Sequence, residues 1–217
     1  MMADDLGAMV GRARAYARGA HAGDVRKGTG RSYFDAHLAE VAEIVRSNGG
    51  TDEQIAAAFL HDVAEDHGGT ARLADVRDEF GDAVADIVRD LSDSLVDTEA
   101  GEVKADWRTR KEGYVASLAH KAIASLEVAA ADKLHNATSI VRDLATEDHD
   151  AFWKRFSTSD PAEHCWYYRS LADAIIARLP DHPTALALEA KVTELEAAVD
   201  SAGGRAEGGD GAGQDHA

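Results

Sequence analysis

The sequence holds a single cysteine, Cys165, among 217 residues. An internal disulfide is therefore excluded, and so is a zinc site built on several thiolates. A reducing, cytoplasmic setting is expected. Prolines are almost as scarce, with only Pro161, Pro180 and Pro183. Everything before Pro161 is thus free of the residue that most strongly breaks helices. Basic side chains are outnumbered, 23 against 40 acidic ones, for a formal charge of -17. So acidic a chain is a poor general binder of DNA or RNA backbones, which call for a basic face. No nucleic-acid polymer is expected as a partner, whereas a small phosphorylated ligand stays compatible with a few clustered Lys and Arg. No apolar run is long enough to span a bilayer, and residues 1–10 lack a basic segment leading into an apolar one. A soluble protein with no membrane partner is expected.

What the sequence has in quantity is Ala, Val, Leu and Ile at helical spacing, with no sustained two-residue alternation. The expected fold class is all-α. Helices are predicted over residues 4–22 (Leu6, Met9, Val10, Ala13 and Tyr16 on one face) and 34–47 (Leu38, Val41, Ile44 and Val45 inward). The next begins at Thr51, where Gln54 completes a capping box. It carries the stripe Ile55, Ala56, Phe59, Leu60, Val63 and ends at Gly68-Gly69. Further helices are predicted over 73–80, 81–91, 103–118, 120–144, 147–159, 161–179 and 184–199. Residues 92–101 are polar and acidic and read as a mobile loop. One domain is expected over residues 1–200, with its core in 6–145 and additional C-terminal helices in 147–200. The Gly-rich stretch 201–217 reads as a disordered tail.

Chemistry concentrates in three places. His61-Asp62 lies late in the third helix, with Glu65 and Asp66 one turn further on. His37 lies in the second helix. Asp132 sits among small apolar residues of the long helix 120–144, an expensive place for a carboxylate unless it is paired. Asn136 follows one turn later on the same face. His37, His61, Asp62 and Asp132 make a two-imidazole, two-carboxylate set, a ligand mixture that suits Mn, Fe, Zn or Co better than Ca or Mg. Taken singly, each residue has a blander reading, a satisfied histidine or an acid capping a solvated helix end.

The order of these blocks resembles the HD-domain metal-dependent phosphohydrolases, whose signature is H…HD…D. The likeness is greatest to the hydrolase domain of the Rel/SpoT enzymes and their small stand-alone relatives. It is carried by His21-Ala22-Gly23-Asp24-Val25-Arg26-Lys27-Gly28, Tyr33 with His37-Leu38-Ala39-Glu40, Phe59-Leu60-His61-Asp62-Val63-Ala64-Glu65-Asp66, Phe80-Gly81, and Ala131-Asp132-Lys133-Leu134-His135-Asn136. The resemblance implies an all-α HD bundle and metal ligation by His37, His61, Asp62 and Asp132. The divalent metal it implies is Mn2+ first, with Fe, Zn or Co as alternatives. It implies that Glu65 and Asp66 serve the attacking water. Arg26 and Lys27 would contact a nucleotide, and Asn136 and Ser139 would line its pocket. The implied activity is hydrolysis of a small nucleotide, with the 3′-pyrophosphate of (p)ppGpp as the leading substrate. Open alternatives are a phosphatase on another nucleotide or on a phosphorylated cofactor such as NADPH, and a weakly active nucleotide-binding protein. In the relatives the Arg-Lys block continues with prolines. Here Gly28 and Gly30 stand in a proline-free loop, which predicts a looser backbone.

Other features read as structural. Arg26, Lys27, Arg108, Arg110, Lys111 and Lys133 are candidates for a local basic mouth. His21 fits a cation at a helix C-terminus, His67 is expected to face solvent, and His135 to pack or hydrogen-bond nearby. His120, His149, His164, His182 and His216 are expected at the surface. Phe152, Trp153, Phe156, Trp166, Tyr167 and Tyr168 read as packing of the C-terminal helices onto the core, or as the contact of a homodimer. Cys165 reads as a small buried hydrophobe.

Overall fold

A computed structural model describes the backbone of residues 2–207 and the side chains of residues 7–201. The described residues fold into helices, with one isolated antiparallel bridge, Val25 to Ser32. The helices are α1 (Met2–Ala20), a π-helical turn (Phe34–Leu38), α2 (Ala39–Ser47), α3 (Asp52–Leu60), α4 (Val63–Asp66), α5 (Gly69–Phe80) and α6 (Asp82–Leu91). Then come α7 (Trp107–Ser117), a 3-10 turn (Leu118–His120), α8 (Ile123–Leu144), α9 (His149–Trp153), α10 (Pro161–Ile176) and α11 (Pro183–Glu207). Among the described residues no helix is long and apolar enough to cross a membrane.

The predicted capping box is present: Gln54 N donates to Thr51 Oγ1, and Thr51 N donates to Gln54 Oε1. It starts α3, which is buried from Gln54 through Leu60. A helix apolar on every side belongs inside a core. Around α3 lies one apolar cluster, drawn from α1, the π turn, α2, α5, α6 and one side of α8 through Val128, Ala129 and Ala131. The other side of α8 (Leu126, Ala130, Ala137, Ile140, Leu144) joins α7, α9, α10 and α11 in a second cluster. α8 is thus the wall between two cores. Asp132 emerges from it beside Ala131 of the first cluster and Ala130 of the second.

Several boundaries differ from the sequence-based expectation. The third helix is not continuous, since it stops at Leu60 and resumes as α4 at Val63. The helix expected over 147–159 is only α9, which ends at Trp153; further on, Thr158 Oγ1 accepts from Asp160 N, a local side-chain bond that competes with helix. α11 runs on to Glu207, so the expected tail does not begin at 201; residues 208–217, including His216, lie outside the described residues, as does the Leu6 side chain. The loop expected to be mobile is tied down. Thr70 N donates to Leu95 O at 3.1 Å and Asp93 N to Glu65 at 3.0 Å, while Lys104 Nζ reaches Glu65 at 3.1 Å.

Candidate metal centre and substrate cavity

Two local irregularities build the site. His37 stands in the π-helical turn, whose extra residue re-aims side chains; such turns recur at functional sites. His61 and Asp62 occupy the break between α3 and α4. In a regular helix adjacent side chains diverge by about 100°, and the break lets both point to one centre. His61 Nε2 lies 3.1 Å from Asp62 Oδ2, 3.2 Å from His37 Nε2 and 3.6 Å from Asp132 Oδ1. His37 Nε2 lies 3.4 Å from Asp62 Oδ2 and 3.3 Å from Asp132 Oδ1. The structure therefore brings together all four residues expected as ligands.

The hydrogen bonds around this centre leave its nitrogens free to donate electron pairs. His61 Nδ1 donates to Ala58 O at 2.8 Å, so a neutral His61 presents an unprotonated Nε2. Burial disfavours a charged His61, but Asp62 and Asp132 outweigh it and raise its proton affinity well above the ordinary value. Burial also disfavours the charged forms of the two carboxylates. For Asp62, His61 and His37 reverse this and hold it well below the ordinary value; for Asp132, Lys133 and His61 do so. Together the four groups gather nitrogen and oxygen donors around one point that favours positive charge. Atoms of His37, His61 and Asp132 lie within 4.8 Å of one another, a spacing that can hold a metal ion, and the nitrogen and oxygen donors fit a divalent transition metal.

The remaining residues divide between two spaces that share part of their lining. Glu65 lines a polar chamber of about 120 Å³ together with His37, Asp62 and Asp132. Burial and neighbouring Asp93 raise its pKa, while Lys104 opposes them. Asp66, an exposed residue, lines a larger cavity of about 580 Å³, and desolvation at the cavity mouth, with the charges of Asp62 and Glu65, raises the pKa of its carboxyl. Tyr33, Lys111, Lys133, Asn136 and Tyr167 border both spaces. Arg26, Lys27 and Ser139 line the larger cavity. Arg26 donates to Asn136 Oδ1, and Asn136 Nδ2 donates to Asp132 Oδ1 at 2.6 Å. Tyr33 donates to Asp62 Oδ2 at 2.6 Å, a contact with no signal in the sequence.

Several expectations are corrected here. The loop with Gly28 and Gly30 is a closed turn: Arg26 N donates to Arg31 O at 2.9 Å, and both glycines take positive φ, 79° and 65°. They permit the turn instead of loosening it. Arg108 lies outside the mouth, bonded to Glu112 and Glu163 and stacked 3.4 Å over the Trp166 ring. Arg110 is spent on Asp93 and Ala105 O. The cavity instead takes Arg31, Arg142 and Arg155. The C-terminal aromatics do pack as core, but Phe152, Phe156, Tyr167 and Tyr168 also wall the cavity. His164 is buried, its Nε2 donating to Thr158 O at 3.0 Å, and Cys165 is only half-buried.

His67 does not face solvent freely. Its Nε2 lies 2.8 Å from Asp24 Oδ2 and its Nδ1 3.1 Å from Glu99 Oε1. Asp24 also accepts from buried His21 at 2.9 Å. These three residues have metal-like spacing, yet a carboxylate on each nitrogen of His67 is the pattern of an imidazolium. Burial disfavours that charge, but Asp24 and Glu99 raise its pKa above the ordinary 6.5. A raised folded pKa gives stability that is complete below pH 6.5 and fades as pH climbs through the folded value. Urea midpoints at pH 6 and pH 9 should therefore fall more for the wild type than for His67→Ala. Equal falls would refute the clasp.

The HD-domain family profile matches residues 13–155. The chain belongs to the HD-domain family. This HD domain, with the His/Asp cluster at its centre, is a metal-dependent phosphohydrolase. Solved structures share its fold. One is a metazoan ortholog of SpoT that hydrolyses ppGpp and plays a role in starvation responses; it is 23% identical, with a TM-score of 0.63, over 87% of this chain and 93% of that one. Another is lmo0812 from Listeria monocytogenes EGD-e, 26% identical, with a TM-score of 0.58, over 72% of this chain and 96% of that one. The comparison with curated proteins returned no match.

Proposed function

We propose that this HD domain hydrolyses a small nucleotide, with a (p)ppGpp-like alarmone cut at its 3′-pyrophosphate as the substrate and Mn2+ as the cation. The observation that carries this reading is the continuous chain Arg26–Asn136–Asp132, which links a basic residue of the large cavity to the cluster of metal-type ligands. The fold shared with a ppGpp-hydrolysing SpoT ortholog supports it.

His37, His61, Asp62 and Asp132 would hold the cation, which lowers the pKa of a water from about 15.7 toward about 7. The chain's own groups do the rest. Arg26, Lys27 and Lys133 supply positive charge for phosphoryl oxygens. Arg26 lies 5.6 Å over the Tyr33 ring, which fixes the guanidinium at the cavity edge. Aromatic walls from Phe152, Phe156 and Tyr168 offer apolar faces for a base. Asp66, with a pKa near neutrality, is suited to orient the water or take its proton. Glu65 is held by Lys104 and the Asp93 amide on the chamber side and is the less free of the two acids.

The Mn2+-loaded protein offered ppGpp should release pyrophosphate. Absence of release at high enzyme concentration would remove this substrate. The second reading, a phosphatase on another nucleotide or on NADPH, is favoured by the extra arginines of the cavity, Arg31, Arg142 and Arg155. A panel of nucleotides and phosphomonoesters separates the two, since the second releases phosphate.

A further inference from the structure

His37 can bind a cation only through a nitrogen that carries no proton. Its Nε2 is the atom that faces His61, Asp62 and Asp132. The proton must therefore be kept on Nδ1. His61 solves the same problem locally with the Ala58 carbonyl. His37 instead turns Nδ1 toward α8, where carbonyls inside the helix are already taken by its own hydrogen bonds. What meets it there is a side chain, His135 Nδ1, at 2.9 Å. His135 Nε2 in turn lies 3.1 Å from Glu40 Oε2. The rings of His37 and His135 are 1% and 7% exposed, so bulk water does not compete for these positions.

The direction of the hydrogen bonds follows from chemistry. A carboxylate only accepts, so His135 donates its Nε2 proton to Glu40. The Nδ1 of a neutral His135 is then an acceptor. Two nitrogens 2.9 Å apart need one proton between them, and only His37 can provide it. His37 thus keeps its proton on Nδ1, and Nε2, aimed at the centre, is the nitrogen left for a cation. We infer that Glu40 and His135 form a relay that fixes the tautomer of His37. His135 is thus a positioning residue for cation binding without being a ligand. Glu40 is itself steadied by Arg31, at 3.5 Å.

The inference rests on the reading of His37 as a ligand, and the test separates the two. Metal-free wild type, His37→Ala, His135→Phe and His135→Gln are titrated with Mn2+ by calorimetry, with circular dichroism as the check on folding. Phenylalanine fills the space but accepts no hydrogen bond, so affinity should drop about 10- to 100-fold, the usual cost of losing such a partner. Glutamine offers a carbonyl to His37 and an amide proton to Glu40, and should restore most of the affinity. Nitrogen-15 spectra of the metal-free wild type, with His37 assigned from the His37→Ala spectrum, should show the proton on Nδ1. Wild-type affinity in His135→Phe, or a His37 Nδ1 without a proton, overturns the relay. Should His135→Phe not fold, the His135→Gln titration and the tautomer decide. A wild type that carries the Nδ1 proton yet binds no Mn2+ sinks the metal reading and leaves the tautomer relay standing.

Discussion

Asp62→Asn is expected to lose Mn2+ on dialysis and to lower kcat/KM by at least about 1,000-fold, or ~4 kcal/mol of transition-state stabilisation. Oδ2 of Asp62 sits 3.1 Å and 3.4 Å from the two imidazole nitrogens of the centre and accepts from Tyr33. The amide has nearly the same shape, so packing is preserved. What disappears is half of the negative charge that draws a cation to His37 and His61. His61 and His37 favour the charge of Asp62 in the folded protein, so the metal-free variant should also melt lower than the metal-free wild type. Metal content by elemental analysis, steady-state rates and metal-free melting together make the case. A variant that keeps both metal and rate would remove Asp62 from the ligand set.

Lys133→Met is expected to cost about 3 to 5 kcal/mol of stability, the usual penalty for breaking a buried ion pair from one side. Lys133 Nζ donates to Asp132 Oδ2 at 2.6 Å. Burial disfavours its charge, but Asp132 outweighs that and holds its pKa well above the ordinary value. Methionine keeps the length and apolar stem and deletes only the charge. Asp132 would be left with His61, His37 and Asn136. The loss should be smaller at saturating Mn2+, because a cation at the centre returns positive charge to Asp132. Urea unfolding with Mn2+ and with chelator checks both parts. Equal and small losses, below about 1 kcal/mol, would show that the pair behaves as a surface one.

The metal-type quartet was readable in the sequence because residue identity carries it. A carboxylate among alanines has to be accounted for, and the order His37, His61-Asp62, Asp132 matches the H…HD…D signature that the chain resembles. The helices around them were readable from apolar spacing and from the cap at Thr51. What stayed hidden depends on contacts between distant residues. Glu40 and His135 are 95 positions apart, and neither alone hints at the other. The stretch before α7 looks solvent-bound by composition, yet Asp93 and Lys104 both bind Glu65. Glycine marked the Arg26 loop as permissive without saying whether that freedom would be spent on motion or on a turn. Arg108 lies in the first turn of α7 and Arg155 just after α9; only the fold decides that the first pairs with Glu163 outside the cavity and the second enters it.

The placement of α8 between two apolar clusters has a consequence for how this enzyme can change over generations. His37, His61 and Asp62 are anchored on the side of the first cluster, whereas Phe152, Tyr167 and Tyr168, which wall the cavity, belong to the second. The ligand cluster and the aromatic wall of the cavity therefore rest on different cores joined along one helix. Substitutions at Phe152 in α9 or Tyr168 in α10, which line the large cavity and not the chamber, would reshape the cavity while leaving the chamber's lining unchanged. A lineage built on this plan can drift from one phosphorylated metabolite to another while keeping its reaction.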